Sequence, residues 1–539
     1  MNLVWIILVI FIALLIATPV LVVLGSSFTN TSDIWQHLAE TVLVDYLLNS
    51  LWLMLGVGVG VLILGVGTSW LVTTCRFPGY RHYTWLLLLP FSAPAYLLAY
   101  TYTDMLDFYG PVQSLLRSLF GWETVQDYWF PDIRSLWGAI AMFILVLYPY
   151  VYLLARVAFL EQSVTILEAS RVLGCNPWDS FKTIALPLAR PAIVAGLALA
   201  EMETLNDFGT VEYFGISTFT TGIYRTWFGF GERYAAVQLA AILMLFVIAL
   251  ILLERRSRHQ SRYYETRGAQ QYQTRYQLQG FQALIANLAC FLPVLFGLLI
   301  PSAYLISLVL RDISQLVDDK FWALAQHSFL LSGISAAIAV VISVVMAYGQ
   351  RLQPNWSMHF SVRTAVMGYA VPGSVIAVGV LIPLGAFDNA LDSWMRVTFN
   401  LSTGLLFSGT ITALIYAYLV RFLAVSFGSV ESSLNKIKPS FDEASRSLGY
   451  SPWQTLVKVH IPLISGGMLT AAMLVFVDVM KELSATMVIR PFNFDTLAIR
   501  VYQYASDERL LEAAAPALAI VAVGLIPVMI LSWQIARSA

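Results

Sequence analysis

The sequence predicts an all-α integral membrane protein: about twelve transmembrane helices in two parallel six-helix repeats. Three observations carry that prediction. Apolar stretches of about 20 residues recur along the chain, each long enough to cross a hydrocarbon core of ~30 Å as a helix. The composition is 58% hydrophobic and only 12% charged, about half the charged fraction of a soluble domain. One polar segment occurs twice, 275 positions apart, which makes the halves related (Glu168 matches Glu443 and Pro187 matches Pro462).

The same composition excludes other classes. A transmembrane barrel would show short alternating segments, and these are not seen. A net charge of −1 makes no case for nucleic acid. Cys75, Cys175 and Cys290 lie far apart with no CxxC, so neither a disulfide framework nor a zinc site is suggested. Residues 1–25 lack a basic start and are apolar for about 22 residues, so a retained first helix is expected rather than a signal peptide.

Six spans are expected in residues 1–253, near 3–25, 48–74, 83–104, 136–158, 191–211 and 234–253. Six more are expected in 281–539, near 284–309, 327–349, 364–385, 402–425, 463–483 and 511–534. Between the halves, 254–280 is rich in Arg, Gln and Tyr without apolar periodicity and reads as a solvated linker. Basic residues set the orientation. Arg76, Arg81, the six linker arginines, Arg351, Arg363 and the basic residues of both repeated segments fall on one side, whereas 26–46 has no Lys or Arg. Cytoplasmic N- and C-termini follow, with both repeated segments facing the cytoplasm. An even number of spans per half gives both halves one orientation, a parallel duplication with an expected pathway along the shared axis.

The repeated segments, within 161–190 and 436–462, read as rigid elbows. Glu168-Ala169-Ser-Arg171-Val-Leu-Gly174 and Glu443-Ala444-Ser-Arg446-Ser-Leu-Gly449 are each a short helix stopped by glycine. Asn176-Pro177 and Ser451-Pro452 suit the start of a second helix. Pro187, Pro191 and Pro462 are expected to break the chain before it enters the membrane. The span after each elbow carries acids: Glu203 and Asp207 in the first, Asp478 and Glu482 in the second, with Lys481 beside them. Each pair is spaced i, i+4, which on a helix places both carboxylates on one face. Intramembrane charge is costly, so these acids read either as the lining of a cation route or as buried ion pairs with Lys481, Arg490 or Arg225. Tyr96, Tyr100 and Tyr102 read as interfacial aromatics or, by ligand softness, as hard oxygen donors. The histidines show no metal-ligand spacing and read as loop or interface residues.

The Glu-Ala-Ser…Gly spacing in both elbows resembles the cytoplasmic loop of type I ABC-importer permeases. The resemblance implies that Glu168, Ala169, Arg171 and Gly174 form one element that couples to an ATPase, and Glu443, Ala444, Arg446 and Gly449 the other. The chain has no GxxxxGK[ST] and no Gly-Lys dipeptide, so ATP and Mg are expected on a separate subunit and no cofactor on this chain. Two elbows imply two ATPase subunits. The run Met480 to Tyr502, with Asn206 to Thr210 and Thr220 to Trp227, is similar to ferric-iron permeases whose two halves are fused. That resemblance implies Fe(III) delivered by a periplasmic or lipid-anchored binding protein at a bacterial inner membrane, with transient Fe(III) contacts at Glu203, Asp207, Asp478 and Glu482. Thiamine or polyamine import remains open, as does an ATP-independent secondary transporter or channel.

Overall fold

The computed structural model describes residues 2–26, 32–161, 174, 176–259, 275–316 and 318–538. Eleven helices among them are long and apolar enough to cross a membrane. A twelfth candidate is a bent pair, Tyr80–Ser92 with Ala95–Phe120, turning by 86°. Every expected span therefore has a counterpart, but the third is broken. The break falls at Pro94, which has extended backbone and lacks an N–H to continue the preceding turn.

The chain folds into two compact units that do not coincide with the sequence halves. One contains residues 1–37, 222–244 and 314–503. Here the first helix, Asn2–Ser26, packs on Gly373–Phe399, Trp356–Val366 and Asp319–Leu352, all from the second half of the sequence. The contact is close because Gly379 has no side chain: a Cβ there would lie 2.4 Å from the Pro19 carbonyl oxygen. Small residues permit such backbone approach where lipid supplies no hydrophobic force between helices.

The other unit contains 38–221, 245–313 and 504–539. Its centre is the packing of Leu43–Thr74, Leu136–Glu161 and Leu186–Asn206. The last helix, Leu510–Ser538, joins it through Gly524, where a Cβ would lie 2.3 Å from the Ser92 carbonyl oxygen. The span Gly280–Arg311, which opens the second half, also packs here through its Ile300–Arg311 end. Each sequence half thus contributes helices to the unit built mainly from the other.

The inter-repeat connector differs from expectation at both described ends. Arg233–His259 continues as one helix beyond the expected span. Tyr276–Gln277 pairs as a parallel two-residue strand with Cys75–Arg76, and Leu278 N–H extends the ladder to the Arg76 carbonyl at 3.0 Å. The alternation of polar and aromatic residues there carries no apolar period, so the pairing partner was not legible locally.

Candidate functional site

The second elbow is fully described. Ser440–Ser447 forms its short helix, with Asp442 and Glu443 in the first turn, where acids complement the helix dipole. Gly449 stops it at φ +79°. Its N–H donates to the Arg446 carbonyl, and the Tyr450 N–H reaches back to Ser445, each at 3.0 Å. This pair of bonds is the Schellman arrangement, and its left-handed residue is the reason for glycine. Ser451 then caps Pro452–Thr455 in a capping box with Gln454. Glu443, Ala444 and Arg446 are exposed, and Leu448 beside them is 75% exposed. An acid, a small residue and a bare leucine thus form one outward surface.

In the first elbow, Glu168, Ala169 and Arg171 lie outside the described residues. Gly174 is described and has φ +85°, the same left-handed conformation as Gly449. Asn176 Oδ1 accepts the Asp179 N–H at 2.8 Å, capping Pro177–Ser180. The expected proline breaks do not occur. Both copies continue through one five-residue π-helical bulge, Phe181–Ala185 and Leu456–His460, into the membrane helix. Pro187 and Pro462 lack the N–H that the residue four back would accept. The helix absorbs the loss by slipping register, so Leu186 N–H bonds Phe181 and Ile461 N–H bonds Leu456.

The second elbow is tied down by residues that spacing alone did not reveal. Asp442 Oδ2 accepts from Arg351 Nε at 3.0 Å and Nη2 at 2.6 Å, and its Oδ1 pairs with His460 Nε2 at 2.8 Å. Arg351 also donates to the carbonyls of Leu434 (2.8 Å) and Ile437 (2.9 Å), closing the C-terminus of Ile411–Asn435. Burial alone would raise the Asp442 carboxyl, but the Arg351 and His460 hydrogen bonds outweigh it and hold the group below its ordinary range. His460 is fully buried, which corrects the reading of the histidines as loop or interface residues. Its ring packs 5.3 Å from Tyr348, whose hydroxyl donates to the Pro452 carbonyl at 2.9 Å.

The acids beyond the elbows do not share helix faces, because each helix ends between the members of its pair. Leu186–Asn206 stops before Asp207, which has extended backbone. Asp207 accepts the Thr210 N–H at 2.8 Å and the Val211 N–H at 3.3 Å, capping Gly209–Tyr213. Ile461–Met480 stops before Lys481 and Glu482. Glu482 is buried and caps Ser484–Ile489, accepting from Ala485 N (2.9 Å), Thr486 N (3.0 Å) and Thr486 Oγ1 (2.6 Å). Arg421 Nη1 completes the shell at 2.6 Å.

Two of the four acids are therefore helix caps, and Glu482 is neutralised by an arginine sixty-one positions earlier that the local pattern did not point to. Asp478 pairs with Lys481 at 3.2 Å, as expected. Arg490 pairs with Asp495 instead, which Arg500 also approaches at 3.3 Å. Glu203 and Asp478 are half-buried. A further acid, Glu201, is buried on the same helix as Glu203, at a point where a Cβ on Gly58 would come within 2.5 Å of its Oε1. Phe476 occupies its place in the second copy, so the repeat gave no signal for it.

The tyrosines are buried rather than interfacial. Tyr96, Tyr100 and Tyr102 lie inside their unit, with Tyr100 against Tyr213 at 4.6 Å between ring centroids. Tyr102 donates to the Phe296 carbonyl at 2.6 Å. No group of three or more His, Cys, Asp or Glu side chains suited to a metal occurs among the described residues.

Comparison with known proteins places these features. The family model for the binding-protein-dependent transport system inner membrane component matches residues 2–257 and 339–538. The chain is 24% identical over 494 residues to a Fe(3+)-transport system permease protein of Haemophilus influenzae, covering 91% of this chain and 90% of that one. It is 25% identical over 502 residues to a second protein of that organism, a putative ferric transport system permease, covering 89% and 75%. Over 200 residues it is 29% identical to a putative 2-aminoethylphosphonate transport system permease of Salmonella typhimurium, covering 37% and 66%. The family is a transport component rather than an enzyme, and its members work with an ATPase and a substrate-binding protein. With both repeats matched and both elbows followed by membrane helices, the chain belongs to the binding-protein-dependent inner membrane permeases of ABC importers.

Proposed function

We propose that the chain is the fused two-half permease of an Fe(III) importer. The observation that carries the substrate is the likeness over 91% of the chain to a protein named as a Fe(3+)-transport permease. Both termini are cytoplasmic in this reading, and a periplasmic or lipid-anchored binding protein delivers Fe(III) to the outer loops. Two separate ATPase subunits engage the elbows, one through Glu168, Ala169, Arg171 and Gly174, the other through Glu443, Ala444, Arg446 and Gly449. Exposure of Glu443, Ala444 and Leu448 supports that role for the second elbow. ATP-driven closure moves the elbows, and because the helix that closes each elbow continues through its π bulge across the membrane (Trp178–Asn206 and Pro452–Met480), the movement reaches the acids at the far end. Hydrolysis resets the inward-open state.

Within the pathway, Glu203 and Asp478 are the candidates for transient contact with the cation, since they are half-buried and cap no helix. Asp207 and Glu482 fix the turn that follows. Lys481 tempers the charge at Asp478. Reconstitution with ATPase and binding protein tests the reading. Uptake and ATP hydrolysis are expected to be stimulated by Fe(III)-loaded binding protein, and Glu443→Lys or Gly174→Pro is expected to uncouple hydrolysis from uptake. Stimulation by a thiamine-loaded binding protein alone overturns the iron assignment, and substrate movement without any ATPase overturns the importer.

A further inference from the structure

We propose that the Arg351–Asp442–His460 network fastens the second elbow to its membrane helices and so positions that elbow's short helix for coupling, by a device that the first copy does not repeat residue for residue. The consequence for coupling rests on the transport reading above; the difference in anchoring does not.

The sequence offset makes the comparison residue by residue. Positions matching Asp442 and His460 are Leu167 and Ala185, which can neither accept from an arginine nor donate to a carboxylate. The match to Arg351 is Arg76, which is exposed and lies in the strand pair with Tyr276–Gln277. In their place the first copy has Phe181, within 4.9 Å of Trp70 and 6.4 Å of Phe159. Trp70 and Phe159 also meet edge to face at 5.4 Å. The second copy carries Val345, Leu434 and Leu456 at those three positions, so the aromatic anchor is absent where the ionic one is present.

The aromatic cluster grips the π bulge, at the base of the elbow. The ionic network also grips the bulge, through His460, but extends to the short helix itself through Asp442, one residue before Glu443. His460 Nδ1 is buried without a hydrogen-bond partner among the described residues, so the ring is spent on Asp442 alone. A carboxylate shared by a two-pronged arginine and a histidine fixes orientation as well as distance. The second coupling helix is thereby fastened directly to Asp319–Leu352, whose end carries Arg351.

Hydrogen exchange on the full chain in lipid nanodiscs tests this. In Asp442→Leu and Arg351→Gln, amides 440–449 are expected to exchange about tenfold faster or more, the change that accompanies loss of a charge-assisted bond. Asp442→Glu is expected to restore most of the protection, and Phe181→Leu to leave 440–449 unchanged. Should Asp442→Leu fail to insert, His460→Ala set against His460→Gln, which keeps an N–H donor, gives the same comparison. In the assembled transporter, uptake per ATP is expected to fall severalfold in Asp442→Leu and to recover in Asp442→Glu. Native exchange in both Asp442→Leu and Arg351→Gln overturns the proposal, as does equal loosening by Phe181→Leu. Failure of the native chain to require ATPase for uptake would count against the transport reading and leave the exchange result standing.

Discussion

Removing Arg421 is the sharpest test of how the second copy handles its intramembrane charge. The Glu482 side chain is 2% exposed and that of Arg421 7%, so the pair is desolvated on both sides. Arg421→Met keeps the aliphatic stem and deletes the guanidinium, both its charge and its donors. Glu482 would then retain the Ala485 and Thr486 bonds but lose its counter-ion. Breaking a buried pair from one side costs about 3–5 kcal/mol, because an uncompensated charge is left behind. Glu482→Gln preserves the shape and takes the carboxylate charge from the guanidinium instead, at a similar cost. The double variant is expected to cost less than the sum of the two, since it strands neither charge. The assay is the apparent unfolding free energy in mixed detergent and SDS, followed by tryptophan fluorescence. An Arg421→Met protein within about 0.5 kcal/mol of native, a spread ordinary for surface changes, refutes the argument; so do additive single effects.

Four further outcomes follow from other sites. Asp207 is the counterpart of Glu482, but Val146 stands where Arg421 would be, so Asp207→Asn keeps the capping oxygen and strands no partner; a loss of about 1 kcal/mol or less is expected in the same assay. Because the folded Asp442 carboxyl lies below its ordinary 3.8, its contribution is complete above that pH and is lost as pH falls through the folded value; protection factors for 440–449 should be flat down to about pH 4 and fall below it. Gly449→Ala meets no atom within 4 Å, so its cost is backbone strain alone, about 1–2 kcal/mol, read as local exchange at 446–450, whereas Gly379→Val must displace the Pro19 backbone and should expose the first helix to protease or cysteine labelling.

Much of the coupling site was legible in the sequence, because its punctuation is local. Gly174 and Gly449 announce a left-handed residue, Asn176 and Ser451 announce caps, and the structure has all four. The acids misled for a related reason. Spacing of i, i+4 specifies a shared face only while the helix continues, and the Asp207 and Glu482 carboxylates instead accept the first N–H groups of the next helix. Nothing in a period-based reading distinguishes a carboxylate on a helix from one that caps it.

The class, the count of about twelve spans and the duplication could be read from the residues alone, since each follows from apolar length or from a pattern repeated along the chain. Which helices pack together and which charges meet could not be read there, because both depend on contacts between distant parts of the chain. The first helix joins second-half helices across the chain because Gly379 admits its backbone, and Arg421 reaches Glu482 from a different helix. In lipid, apolarity marks a helix as buried in the membrane without saying which neighbour it meets. That choice rests on close backbone approach and on satisfied buried charge, and both are set between residues far apart in sequence.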